Sequence, residues 1–156
     1  MKRSIRFYNV LFPVWFFWLL PSVLWLVILA GNFAVDSLIL AAAMKWHRVE
    51  NKRTVWKKSI LRIWLIGFFS DLLGAALIFG LTVLFDYIAP QVNTWLFPGV
   101  TLISVPGVLL AGFLIYVLNR RFSFRHSGLD PVTVERLCWA LMLFTAPYAM
   151  LIPLYG

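Results

Sequence analysis

Two acidic residues lie in apolar stretches of the sequence, where an ionisable side chain is costly. Asp36 lies nine residues before Lys45, and Asp71 lies nine residues after Arg62. In the hydrocarbon of a bilayer such a group costs roughly 2.5–3.5 kcal/mol or more, so it faces protein or water and marks a functional candidate. Nine residues of helix span about 13.5 Å. We therefore expect both carboxyl groups at the same depth, on consecutive helices.

The chemistry of such a pair follows from charge repulsion in a low dielectric. Two neighbouring carboxylates cannot easily both ionise, so one holds a proton or the pair binds a cation. Asn32 lies one helical turn from Asp36 and could share a ligand with it. We predict Asp36, Asp71 and Asn32 as ion- or substrate-binding residues, as in a proton relay or a sodium site. The alternatives are that the acids only lock helices together or contact a partner subunit.

Small residues near both acids predict close helix packing. Gly67, Asp71 and Gly74 share one helix face, and Ser70 with Gly74 forms a small-xxx-small pattern that lets helix backbones approach. On the preceding helix we expect a matching stripe of small residues, formed by Ala30, Ala34, Ser37 and Ala41.

The composition requires lipid as a solvent. Of the 156 residues, 62% are hydrophobic and 13% are charged, with a mean hydropathy of +0.88, whereas soluble domains average about half apolar and about a quarter charged. Apolar stretches of about 20 residues can cross a bilayer. Four are predicted, at residues 21–44, 60–85, 95–118 and 132–154. The sequence thus predicts an all-α, polytopic transmembrane helix bundle, a single domain over residues 1–156.

A short hydrophobic helix is predicted over residues 4–20, separated from the next by Pro21. Its basic start favours the cytoplasm and therefore a short, tilted fifth crossing, whereas a polar stripe along it is typical of an interfacial or re-entrant helix. Both alternatives stay open. In the third long span, Pro98-Gly99 and Pro106-Gly107 are expected to interrupt or kink the helix.

The basic residues predict orientation. Of 14 Lys and Arg residues, most lie in two predicted loops, 45–59 and 119–131, which the positive-inside rule assigns to the cytoplasm. The C-terminus then lies outside, in a protein of the cell (inner or plasma) membrane. Anionic lipid headgroups are the expected partners of these loops, together with a second copy or a partner membrane subunit. Nucleic acid is not indicated, because Trp46 and Trp56 among the charges suit the bilayer interface.

The sequence lacks the motifs of common enzymes and metal sites. His47 and His126 have no ligand partner at metal-binding spacing, Cys138 is the single cysteine, and no nucleotide-binding or hydrolase motif is present. We predict no metal, no cofactor and no enzymatic activity.

Residues 118–124, with the sequence LNRRFSF, resemble the segment N-R-R-aromatic-x-F that follows a membrane helix in GtrA-like proteins. Those small four-helix proteins are linked to moving polyprenyl-phosphate sugars across the membrane. The second copy of the motif is absent here, and no functional residue is carried over. The leading prediction is a small transporter or channel subunit for an ion or small solute. The alternatives are a non-catalytic accessory subunit of a larger membrane complex and, from the resemblance, a helper for translocating lipid-linked substrates.

Overall fold

The computed structural model describes residues 23–94 and 97–151. No strand occurs in these residues, which confirms the predicted all-α class. The predicted helix 4–20 lies outside them. A π-helical turn extends the third helix and a 3-10 turn follows the fourth. The helices are α1 (Val23–Trp46), α2 (Lys52–Ile88), α3 (Gly99–Leu118) and α4 (Pro131–Thr145), and the two turns are Asn119–Ser123 and Tyr148–Leu151.

Three of these helices are long and apolar enough to cross a membrane: α1, α2, and α3 with its π-helical extension. The predicted fourth long span, residues 132–154, is not confirmed, because α4 ends at Thr145 and its 15 residues reach only about 22 Å. The cause is Pro147, since proline disfavours helical backbone in the residue before it. Ala146 is accordingly extended, with φ −58° and ψ 146°.

The predicted basic loop 45–59 is wrong in extent. α2 begins at Lys52 rather than at residue 60 and runs for 37 residues, about 55 Å, which is nearly twice the hydrocarbon thickness. Residues 52–59 contain good helix formers and neither glycine nor proline, so nothing stops the helix there. Only residues 47–51 connect α1 to α2, and Arg48 has a left-handed backbone there (φ 53°).

The second basic loop also differs from its prediction. Residues 119–131 begin with the π-helical turn, so only 124–130 is irregular. Asp130 caps α4 by accepting a hydrogen bond from the backbone N–H of Thr133 at 2.9 Å, and Pro131 is the first helical residue. Both features agree with the usual preferences at a helix start.

The two basic segments meet at one end of the bundle. Arg62 Nη1 donates a hydrogen bond to the carbonyl of Phe122 at 3.3 Å, and Lys58 Nζ lies 3.5 Å from the carbonyl of His126. The main apolar core lies toward this end, where α1, α2, α3 and α4 contribute buried side chains, among them Leu40, Met44, Val55, Ile63, Ile115, Leu137 and Leu141.

Helices α2 and α3 approach each other closely at a pair of glycines. A Cβ placed on Gly74 would lie 2.7 Å from the carbonyl oxygen of Gly107, and one on Gly107 would lie 2.6 Å from the carbonyl oxygen of Gly74. Helix α3 continues through Pro106, so of the two expected outcomes the interruption is excluded and the kink stays a prediction. Pro98 directly precedes the first residue of α3.

The expected pairing of small-residue stripes is therefore only half right. Gly74 does support a close crossing, but its partner lies on α3 and not on α1. Ala30, Ala34 and Ala41 of α1 are exposed. Larger side chains, including the buried Leu40 and Met44, form the packed face of α1 instead.

Candidate functional site

Aromatic side chains hold the middle of α1 against α2. Trp56 Nε1 donates a hydrogen bond to Ser37 Oγ at 2.7 Å, and Trp64 Nε1 donates to the carbonyl of Leu29 at 3.1 Å. The ring of Phe33 packs edge-on against both indoles, at centroid distances of 6.3 and 6.1 Å. These contacts fix the rotation of α1 about its axis, which spacing along the sequence cannot specify.

With that rotation, Asp36 points toward α2. Its side chain is buried, with 5% of its surface exposed. A Cβ placed on Gly67 would lie 3.4 Å from Asp36 Oδ2, so the carboxyl group packs directly on the α2 backbone. A methyl group at position 67 would therefore just touch the Asp36 carboxyl group.

Asp71 lies one turn further along the same face of α2. Its side chain is half-buried, and its Oδ1 is shielded from solvent with no hydrogen-bond partner in the part of the chain that the structure describes. The carboxyl group is close enough to Asp36 for the two to interact electrostatically. Buried polar atoms are nearly always hydrogen-bonded, and one that is not calls for a water, an ion or a functional role.

One small cavity joins the two acids. Its volume is about 30 Å³, and since about 10–15 Å³ is enough for one water molecule, it has room for one or two waters or a small desolvated ion. The structure thus brings together the three residues predicted from the sequence. The cavity is lined by Asn32, Val35, Asp36, Gly67, Phe68, Asp71 and Thr145.

Thr145, at the end of α4, is a polar residue of the cavity that the sequence did not reveal. Its hydroxyl donates to the carbonyl of Leu141 at 2.8 Å, which leaves the oxygen lone pairs free to accept a hydrogen bond or coordinate a cation. A lone threonine in an apolar helix usually bonds only to its own backbone, so no pattern along the chain distinguishes it.

Other polar and aromatic residues of α1 and α2 lie outside the cavity. Asp86, near the far end of α2, accepts a hydrogen bond from Thr94 Oγ1 at 2.6 Å and is not part of the cavity. Trp56, which the sequence suggested for the bilayer interface, is half-buried and bonded to α1. Trp46 remains exposed.

In comparison with known proteins, no family model matches the chain, and neither a curated protein nor a solved structure shows significant similarity to it.

Proposed function

We propose that this protein is an integral membrane transporter or channel subunit in which Asp36 and Asp71 bind a proton or a sodium ion. One observation carries the proposal. Two carboxyl groups from consecutive apolar helices line the same small cavity, and a buried oxygen of one of them, Asp71 Oδ1, has no partner among the described residues. A proton or a cation bound at this oxygen would supply the missing partner.

The size and chemistry of the cavity favour a small cation over a larger solute. A volume of about 30 Å³ cannot accommodate a sugar or an amino acid. All the polar side-chain groups that line it, Asn32, Asp36, Asp71 and Thr145, can offer oxygen atoms, and hard cations prefer oxygen ligands. A cation or a shared proton would also relieve the repulsion between the two carboxyl groups.

The proposal includes an orientation and an assembly. The end of the bundle where both basic segments meet would face the cytoplasm of the cell membrane, in accordance with the positive-inside rule, and the C-terminus would lie outside. The four helices that the structure describes enclose little space for an aqueous path, so a homo-oligomer or a partner membrane subunit would supply the rest of the pathway.

Flux measurements in proteoliposomes test the proposal. Wild type, Asp36→Asn and Asp71→Asn would be compared for proton and sodium movement under an imposed gradient. Asp86→Asn is the matched control, because it makes the same change on α2 at an acid outside the cavity. We expect flux in wild type and the control, and loss in both cavity variants while folding and particle size are retained.

A different pattern would overturn the transport proposal. If wild type shows no flux of either ion, and the cavity variants differ from it only in thermal stability, the acids act as helix locks. The chain would then fit the accessory-subunit alternative. Purification of its complex from native membrane, followed by identification of the co-purifying subunit, would test that alternative directly.

A further inference from the structure

A second, larger cavity lies away from the acidic site. It has a volume of about 220 Å³ and is lined by Ala41 and Met44 of α1 and by Lys52, Arg53 and Trp56 of α2. Ala41, Lys52 and Arg53 are exposed, so the cavity is an open groove between the two helices. We call it the α1–α2 groove.

The α1–α2 groove lies at one end of the apolar span of α1. The apolar span of α1 ends at Trp46, and Lys52 and Arg53 are the first two residues of α2. The groove therefore extends from the last apolar turns of α1 to the first charged turn of α2. In a bilayer this is the level of the lipid headgroups, where tryptophan and basic residues are enriched.

The lining of the groove is amphipathic and positively charged. Ala41 and the indole of Trp56 provide an apolar surface above the buried side chain of Met44. Lys52 and Arg53 provide two cations, and no acidic residue lines the groove. Within residues 23–94 and 97–151, neither cation forms a hydrogen bond or an ion pair with another side chain. A complementary ligand has an anionic group joined to an apolar chain.

We propose that the α1–α2 groove binds one anionic glycerophospholipid. Its phosphate lies between Lys52 and Arg53, and its glycerol and first acyl carbons lie along Ala41 and the Trp56 ring. Because Trp56 also donates to Ser37 Oγ at 2.7 Å, a lipid in this groove packs on a side chain that holds α1 against α2. The proposal does not depend on ion binding at Asp36 and Asp71.

Native mass spectrometry of the full chain in a neutral detergent tests the proposal, with dioleoyl phosphatidylglycerol, dioleoyl phosphatidylcholine and inorganic phosphate as probes. We expect one phosphatidylglycerol per chain and weaker binding of the other two. In Lys52→Gln/Arg53→Gln this binding should weaken about 25-fold, because each basic residue near an anionic surface contributes about fivefold. The matched control, Lys57→Gln/Arg125→Gln, removes the same charge from two exposed residues outside the groove.

A second pair of variants tests the apolar surface without a change in charge. Ala41→Trp fills the groove, whereas Ala42→Trp adds the same ring to an exposed neighbouring position on α1 that does not line it. Because the added ring occupies the space of the lipid, we expect Ala41→Trp to weaken phosphatidylglycerol binding and Ala42→Trp to leave it unchanged.

Several results would overturn the proposal. Equal losses in the two charge variants would mean that surface charge as a whole attracts the lipid. Tight binding of inorganic phosphate would make the groove a site for a free anion. Absence of one-to-one phosphatidylglycerol binding by wild type would leave the groove to residues 1–22 or to a second copy of the chain.

Discussion

The close crossing of α2 and α3 predicts that one added methyl group at Gly74 destabilises the protein. In Gly74→Ala the new Cβ would lie 2.7 Å from the Gly107 carbonyl oxygen and 3.1 Å from Ala111 Cβ, whereas ordinary contacts are at 3.4–4 Å. The helices must separate by roughly 0.5–0.7 Å, and such overpacking typically costs about 1–3 kcal/mol. The control is Gly80→Ala on the same helix, where nothing lies within 4 Å of the added Cβ.

Comparing these two variants isolates the packing effect. Alanine gains about 1 kcal/mol over glycine in a helix, and this gain is common to both variants. We therefore expect the free energy of unfolding of Gly74→Ala to lie about 1–3 kcal/mol below that of Gly80→Ala. For a chain of this size the difference corresponds to a thermal midpoint lower by about 2–12 °C.

The single cysteine supplies the assay. Cys138 is buried, so a thiol-reactive fluorophore labels it only as the protein unfolds in detergent. Both variants would be heated at the same rate. The double variant Gly74→Ala/Gly107→Ala should lose less thermal stability than the sum of the losses in the two single variants. The reason is that one separation of the two helices makes room for both methyl groups. If Gly74→Ala unfolds at or above the temperature of Gly80→Ala, the inferred close crossing is wrong.

Three further outcomes are expected. Gly67→Ala places a methyl group in the acid-lined cavity at ordinary contact distance from Asp36. Ion flux should fall about tenfold or more because little volume remains, while the thermal midpoint stays within a few degrees of wild type. Unchanged flux would count against the cavity. Trp64→Phe should lower the free energy of unfolding by about 0.5–1.5 kcal/mol because it loses the hydrogen bond to Leu29. The control, Trp46→Phe, changes a side chain that is 84% exposed and should have almost no effect. Equal effects of the two variants would contradict the contact between Trp64 and Leu29. Hydrogen bonds from Thr133 hold the pKa of Asp130 below its ordinary 3.8, so the stabilising contribution of this cap is present above about pH 4 and is lost as the pH falls through the lowered pKa. Asp130→Asn caps equally well without titrating, so it should show a smaller loss of thermal stability in acid. Identical acid profiles of wild type and variant would contradict this role.

The level of the two acids along their helices could be predicted from the sequence. Helical rise is fixed at about 1.5 Å per residue, and the basic residues mark where each apolar stretch ends. Equal spacing of Asp36 from Lys45 and of Asp71 from Arg62 thus predicted one common level for the two carboxyl groups, and both line the same cavity. Which way each side chain points depends on helix rotation, and contacts such as Trp56 with Ser37 determine that rotation.

The length of α2 shows where charge patterns mislead. The positive-inside rule concerns which side of a membrane a segment occupies and not its secondary structure. Residues 52–59 are basic, and they are helical because nothing in them breaks a helix. Conversely, the last predicted span is apolar to residue 154, but the helix ends at Thr145 because Pro147 restricts the preceding backbone.

The sequence by itself determined the all-helical class, the presence of helices long and apolar enough to cross a membrane and the approximate place of each described helix, because composition and local backbone chemistry govern these. Only the tertiary structure decided which surfaces meet. It paired Gly74 with Gly107, left the alanines of α1 exposed, and brought Thr145 from α4 to the acids. These contacts join residues far apart in the chain, and side-chain packing selects them among many arrangements that the same local pattern allows.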